Sequence, residues 1–215
     1  MARSDILQQI IECGIVAVVR SPHAEQLVGV AKALVQGGVR AIEITMTVPH
    51  AIDVIRQVAD ATKGQIVLGA GTVLDPETAR AVILAGAEYV VAPTLNFDVI
   101  RMCHRYDKPV MPGAFTPTEI LSAWEAGADV VKVFPADVGG PNYLKSVLAP
   151  LPHVRLMPTG GVDLTTAAAF LRAGACCLGV GSSLVDRDAV RDGAFDRIRG
   201  LAEQFMKIVR EVRAA

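Results

Sequence analysis

The sequence predicts one α/β domain over residues 1–215, a (β/α)8 barrel with an extra N-terminal helix. Three observations predict it. A short β-branched run followed by an Ala-rich amphipathic stretch recurs eight times, and strands alternating with helices at this spacing build a parallel sheet. Eight such units in 215 residues match the count and size of a closed barrel. The turn after the first strand, "VVRSPHAEQ", is neither a GxGxxG nor a Walker loop, which an open doubly wound sheet would more naturally carry there.

The elements follow in order. A leading helix is expected near Ser4 to Cys13. "GIVAVVR" (Gly14 to Arg20) then precedes "HAEQLVGVAKALVQGG", and "VRAIEIT" (Val39 to Thr45) precedes "PHAIDVIRQVADATKG". "QIVLGAG" (Gln65 to Gly71) leads into "DPETARAVILAG", and "AEYVVAP" (Ala87 to Pro93) into "NFDVIRMCHRYD". "KPVMPGA" (Lys108 to Ala114) is followed by "TPTEILSAWEAG", and "ADVVKVFPA" (Ala128 to Ala136) by "PNYLKSVLAP". "HVRLMPTGG" (His153 to Gly161) precedes "DLTTAAAFLRAG", and "ACCLGVG" (Ala175 to Gly181) precedes one final helix over most of Asp188 to Arg213. Gly37-Gly38, Gly86, Gly127 and Gly174 stand where a helix ends in a left-handed residue. Asp75-Pro76 and Thr116-Pro117 read as a cap followed by proline in the first turn.

Composition narrows the function. The chain is 52% hydrophobic with a mean hydropathy of +0.41, which calls for a very apolar core or for apolar surface covered by subunit contacts. A net charge of -1, no basic block and 5% aromatics give nucleic-acid binding little support. No apolar run reaches the length of a membrane span, and the N-terminus has no signal-peptide pattern, so a cytoplasmic protein is expected. Cys13, Cys103, Cys176 and Cys177 form no CxxC pair and read as reduced core thiols. The four histidines are scattered without metal-ligand spacing, so neither a metal nor another cofactor is expected.

Polar residues inside strands point to chemistry. Glu43 and Thr45 share one strand face and Lys132 shares another with Val130 and Phe134. The helix-facing layer of a barrel must be apolar, so these faces turn inward. A buried ion pair without chemical consequence would explain the two charges, but such pairs rarely gain net stability. An amine in a low-dielectric pocket, by contrast, favours the neutral, nucleophilic form. Lysine with a nearby acid/base and no metal ligands is the equipment for Schiff-base chemistry on a carbonyl. Other strand ends supply Arg20, Thr72, Pro93 and Thr94. After the seventh strand come Gly160 and Gly161, and after the eighth Gly181, Ser182 and Ser183. Loops in those two places often bind phosphate through backbone N–H groups. Phe134 reads as a pocket wall or as core, and Trp124, Arg56, Arg80 and Arg101 as packing or solvated helix residues.

The segments "VAVVR", "GGVRAIEIT", "GAGTV", "MPGAFTPTE", "VKVFPA", "PTGGV" and "GVGSSLV" occur in order along nearly the whole chain. Together they resemble the 2-keto-3-deoxy-6-phosphogluconate (KDPG) aldolase family, which includes 4-hydroxy-2-oxoglutarate (KHG) aldolases and phosphogalactonate relatives. The resemblance implies a homotrimeric class I aldolase without metal, acting on a phosphorylated keto acid. It implies that Lys132 forms the Schiff base and Glu43 is the acid/base. It places Thr72 at the pyruvate end, with Arg20, Gly160, Gly161 and Ser183 around the far end and phosphate. Many relatives have an arginine four residues after the glutamate, holding the pyruvate carboxylate; this sequence has Thr47, which supplies no charge. Carboxylate binding would then rest on Thr72, backbone N–H groups or Arg20. The alternatives are a KHG or phosphogalactonate aldolase, a metal-dependent aldolase, against which the absent histidine cluster speaks, and a trimeric scaffold with a vestigial pocket.

Overall fold

In the computed structural model, which describes residues 1–214, every strand is buried and every strand pair is parallel. The strands are β1 (Ile15–Val19), β2 (Ala41–Thr45), β3 (Val67–Gly71), β4 (Tyr89–Val91), β5 (Val110–Met111), β6 (Gly113–Ala114), β7 (Val131–Val133), β8 (Leu156–Pro158) and β9 (Leu178–Val180). They form a curled six-stranded sheet, β5-β4-β3-β2-β1-β9, and a three-stranded sheet, β6-β7-β8. Nine strands stand where eight were expected because Pro112 divides the fifth run. It has no N–H for the ladder, although its carbonyl still accepts from Lys132 N at 2.9 Å. At the other junction Thr159 bridges Gly179, and Cys176 N donates to Leu156 O at 3.0 Å. The result is a barrel-like parallel wall.

The helices are α1 (Arg3–Cys13), α2 (Leu27–Gln36), α3 (Ala51–Ala61), α4 (Pro76–Leu84), α5 (Phe97–Arg105), α6 (Pro117–Glu125), α7 (Gly140–Leu148), α8 (Ala167–Arg172), α9 (Arg187–Arg191) and α10 (Phe195–Arg213). The expected caps are in place. Asp75 accepts from Thr78 N at 2.6 Å, and Thr116 and Glu119 form a reciprocal capping box at α6. Gly38, Gly86, Gly127 and Gly174 have positive φ, but Gly37 does not. The single final helix is corrected to two, α9 and α10, because the chain turns at Gly193, where φ is 65°.

Strand parity sorts the core into two clusters. Ile42 and Ile44 join the layer beneath the helices. Ala41, Val67, Tyr89, Met111, Val130 and Met157 face inward and are covered by Ile6 and Ile10 of α1. Burying each isoleucine is worth roughly 1.5–3 kcal/mol. The start of α1 is fixed by Arg3 Nε on Asp129 Oδ1 at 2.8 Å, while Asp129 Oδ2 accepts from Val110 N at 2.8 Å. One end of the wall is therefore plugged by apolar side chains, which leaves chemistry to the other. Among the described residues no helix is long and apolar enough to cross a membrane.

Candidate active site

Glu43 and Lys132 lie inside the curled wall, with 1% and 2% of their surface exposed. Their positions follow from register. Glu43 pairs with Val18 and Gly69 on its flanking strands, and Lys132 with Gly113 and Met157. The space over Gly69 is filled by the Tyr89 ring and that over Gly113 by the Pro93 backbone. The Glu43 carboxyl lies over Gly71, where a Cβ would collide with it. The Lys132 Nζ sits 5.2 Å from the centre of the Phe134 ring, within the range of a cation–π contact.

The electrostatics pull the two groups toward their neutral forms. Burial pushes the Glu43 carboxyl above the ordinary carboxylate value, against the opposing charges of Lys132 and Arg20. Burial likewise holds the Lys132 amine below the ordinary lysine value; Glu43 opposes this and Arg20 adds to it. Glu43 Oε2 is buried without a hydrogen-bond partner. Such an atom is held at a free-energy cost of about 1–3 kcal/mol and is available to a ligand or water.

A cavity of about 180 Å³ adjoins this pair through Val18, the strand partner of Glu43, and Phe134, the ring beside Lys132, although neither charged residue lines it directly. Its wall carries the predicted Arg20, Phe134, Gly160, Gly161, Gly181, Ser182 and Ser183, together with Val18, Thr159 and Arg187. Gly160 and Gly161 have φ of 96° and 67°, so this turn suits glycine, and Asp137 packs against it, closest at Gly161. Thr159 Oγ1, also buried, has no partner. Arg20 also faces an adjoining outer cavity of about 640 Å³, with His23, Thr47, Pro49 and Arg187. Thr47 Oγ1 is 2.6 Å from Thr45 Oγ1.

The grouping differs from the sequence expectation in detail. Thr72 and Pro93, like Glu43 and Lys132, do not form part of either cavity wall; Pro93 packs its backbone against Gly113. Thr47 belongs to the outer cavity rather than the inner one. Arg187 was not singled out: it falls between the eighth strand's hydroxyl loop and the stretch read as the final helix from Asp188, where an arginine is ordinarily solvated. The close fit of Gly71 against Glu43 was legible only as a glycine-rich strand end. Trp124 is packing, as expected, and stacks against Arg155 at 5.1 Å.

The sequence profile of the KDPG and KHG aldolase family matches residues 6–201. The 2-dehydro-3-deoxy-phosphogluconate aldolase of Treponema pallidum is 36% identical over 199 residues, covering 91% of this chain and 93% of that protein. The KHG/KDPG aldolase of Escherichia coli is 36% identical over 192 residues, covering 88% and 89%. The crystal structure of KDPG aldolase from Legionella pneumophila, with pyruvate captured as a covalent carbinolamine, superposes with a TM-score of 0.86 at 25% identity, covering 94% of this chain and 97% of that one.

Proposed function

The chain belongs to the KDPG and KHG aldolase family and is a lyase, a class I aldolase; on that premise we propose that it cleaves 2-keto-3-deoxy-6-phosphogluconate into pyruvate and glyceraldehyde 3-phosphate. The observation that carries the reading is a lysine buried inside the curled parallel wall, its amine biased toward the neutral form, with a carboxyl group close enough to shift it.

In this reading neutral Lys132 attacks the C2 ketone and forms a carbinolamine. Glu43 relays protons, through a water, while hydroxide leaves as water and the iminium forms. Glu43 then takes the proton of the C4 hydroxyl. The C3–C4 electron pair flows into the iminium and leaves an enamine, and glyceraldehyde 3-phosphate departs. Protonation of the enamine at C3 and hydrolysis release pyruvate and the amine. The Gly160–Gly161 turn and the Ser182 and Ser183 hydroxyls suit the phosphate, whose remote binding energy would position the chain for cleavage. Thr72 and Pro93, which follow β3 and β4, adjacent strands of the same wall, are assigned to the pyruvate end.

Incubation with pyruvate and borohydride, followed by mass mapping, tests the assignment. A reduced adduct on Lys132 is expected; an adduct elsewhere, or none, would overturn it. Cleavage of unphosphorylated 4-hydroxy-2-oxoglutarate as fast as the phosphorylated sugar acid would favour the KHG reading, and a preference for the galactonate epimer the phosphogalactonate one. The same proposal takes the whole chain as one domain whose strands close into a complete (β/α)8 barrel. It further takes the enzyme as a cytoplasmic homotrimer serving Entner–Doudoroff breakdown of sugar acids. Support for subunit contacts comes from exposed Leu74 and Phe97, the latter next in the chain to Asn96, whose Nδ2 donates to Leu74 O at 2.9 Å.

A further inference from the structure

We propose that Arg187 is a specificity-determining residue that, with Arg20, grips the terminal phosphate dianion of the substrate. The inference rests on the aldolase reading above and adds a residue to it. Arg20 and Arg187 are the two side chains shared by the inner and outer cavities, so together they form the partition between them. They reach it from opposite ends of the chain, one just past β1 and the other at the start of α9.

What surrounds the two guanidiniums sets them apart from their neighbours. Among the described residues, Arg191 is held by Asp188 at 2.7 Å and Asp192 at 2.8 Å, and Arg197 by Asp186 at 3.4 Å. Neither Arg20 nor Arg187 takes part in an ion pair or a side-chain hydrogen bond among those residues. Apart from these two arginines the inner wall carries glycines, hydroxyls and apolar groups; Asp137 lies against the Gly160–Gly161 turn but does not line the cavity. Asp188, on the outer cavity, is already engaged by Arg191. Two planar cations without an ion-pair partner, flanking a cavity whose own wall carries no carboxylate, are matched to a tetrahedral dianion, which accepts forked N–H donors from both sides. A neutral or singly charged tail would leave one of them without a partner. The arrangement therefore selects the phosphorylated keto acid over its unphosphorylated counterpart.

The test compares wild type with Arg187→Ala and Arg187→Lys, after thermal melts establish that all three fold alike. Steady-state cleavage of the 6-phosphorylated keto acid and of 4-hydroxy-2-oxoglutarate is measured, along with competitive inhibition by inorganic phosphate. A charged hydrogen bond of this kind is worth about 10- to 100-fold. For Arg187→Ala, kcat/KM on the phosphorylated substrate should fall by about that factor, mostly through KM, with phosphate inhibition weakened alike. The lysine variant should recover part of the loss. Activity on the unphosphorylated substrate should change by no more than about two-fold. Equal losses on both substrates, or no loss on the phosphorylated one, would refute the role of Arg187. Absence of pyruvate-dependent labelling at Lys132 in the wild type would instead refute the aldolase reading beneath it.

Discussion

Replacing Gly71 with alanine should disable catalysis in a protein that still folds. Gly71 is not among the glycines with positive φ, so its backbone accepts an L-residue. The obstacle is the Glu43 side chain. A Cβ built at Gly71 overlaps Glu43 Oε1 and lies 2.5 Å from its Cδ and 3.0 Å from its Cγ. Carbon atoms in contact rest at about 3.5 Å or more, so the carboxyl carbon must retreat by about 1 Å. Glu43 is 1% exposed and has no solvent to swing into. A displacement of about 1 Å at a catalytic group costs about 100-fold in rate, which approaches the 10²- to 10⁴-fold expected of Glu43→Gln. Overpacking of this size costs about 1–3 kcal/mol of stability, less than the margin of about 5–15 kcal/mol of an ordinary domain. The assay is pyruvate release under steady state, with circular-dichroism melts to establish folding. The double variant Gly71→Ala/Glu43→Gln isolates the route: if the methyl acts only through Glu43, the double variant is no slower than Glu43→Gln alone. A folded Gly71→Ala enzyme within about three-fold of wild type would refute the reasoning, as would losses that multiply in the double variant.

Other consequences concern stability. Burial holds the folded Lys132 amine below its unfolded value, so between those two values the unfolded chain binds more protons and stability climbs with pH. Lys132→Met should therefore melt higher than wild type at neutral pH and lose that slope; a lower melting temperature would contradict it. The Tyr89 hydroxyl is fully buried without a partner, so Tyr89→Phe should stabilise by about 1 kcal/mol, read from urea midpoints, and a loss of stability would count against the account of this core. Asp129→Ala strips partners from Val110 N and Arg3 Nε. Because Arg3 is 29% exposed and partly regains water, the expected cost is about 2–3 kcal/mol, checked by the same titration.

What the sequence disclosed and what it hid divide along the range of the forces involved. Glu43 and Lys132 were legible because strand parity is local: two residues on, the chain faces the same side, and a charge among β-branched residues has no outward option here. The caps at Asp75 and Thr116 were equally local. The division of the fifth strand at Pro112 was available in principle, since a residue without an N–H cannot hold a central ladder. The break at Gly193 had a visible glycine but was masked by the amphipathic pattern on both sides. Arg187 was not legible: its role depends on meeting Arg20 across the whole length of the chain. Which strand-end residues line the cavity depends in the same way on how loops settle over a curled sheet, which pattern alone does not fix.

The separation of Glu43 and Lys132 also explains how one lysine can serve two opposed needs in the proposed mechanism. To attack a ketone the amine must be neutral, which a dry site favours; as an iminium it must carry charge, which a dry site penalises. A tight salt bridge would satisfy the second need and defeat the first by clamping the ammonium. Here the carboxyl is close enough for each group to shift the other, yet one of its oxygens remains without a partner. Glu43 can thus stabilise charge as it develops and still have an oxygen free for the proton it must carry. That condition is why the fit at Gly71 matters: the glycine sets where the carboxyl stops, and the chemistry depends on its stopping short of the amine.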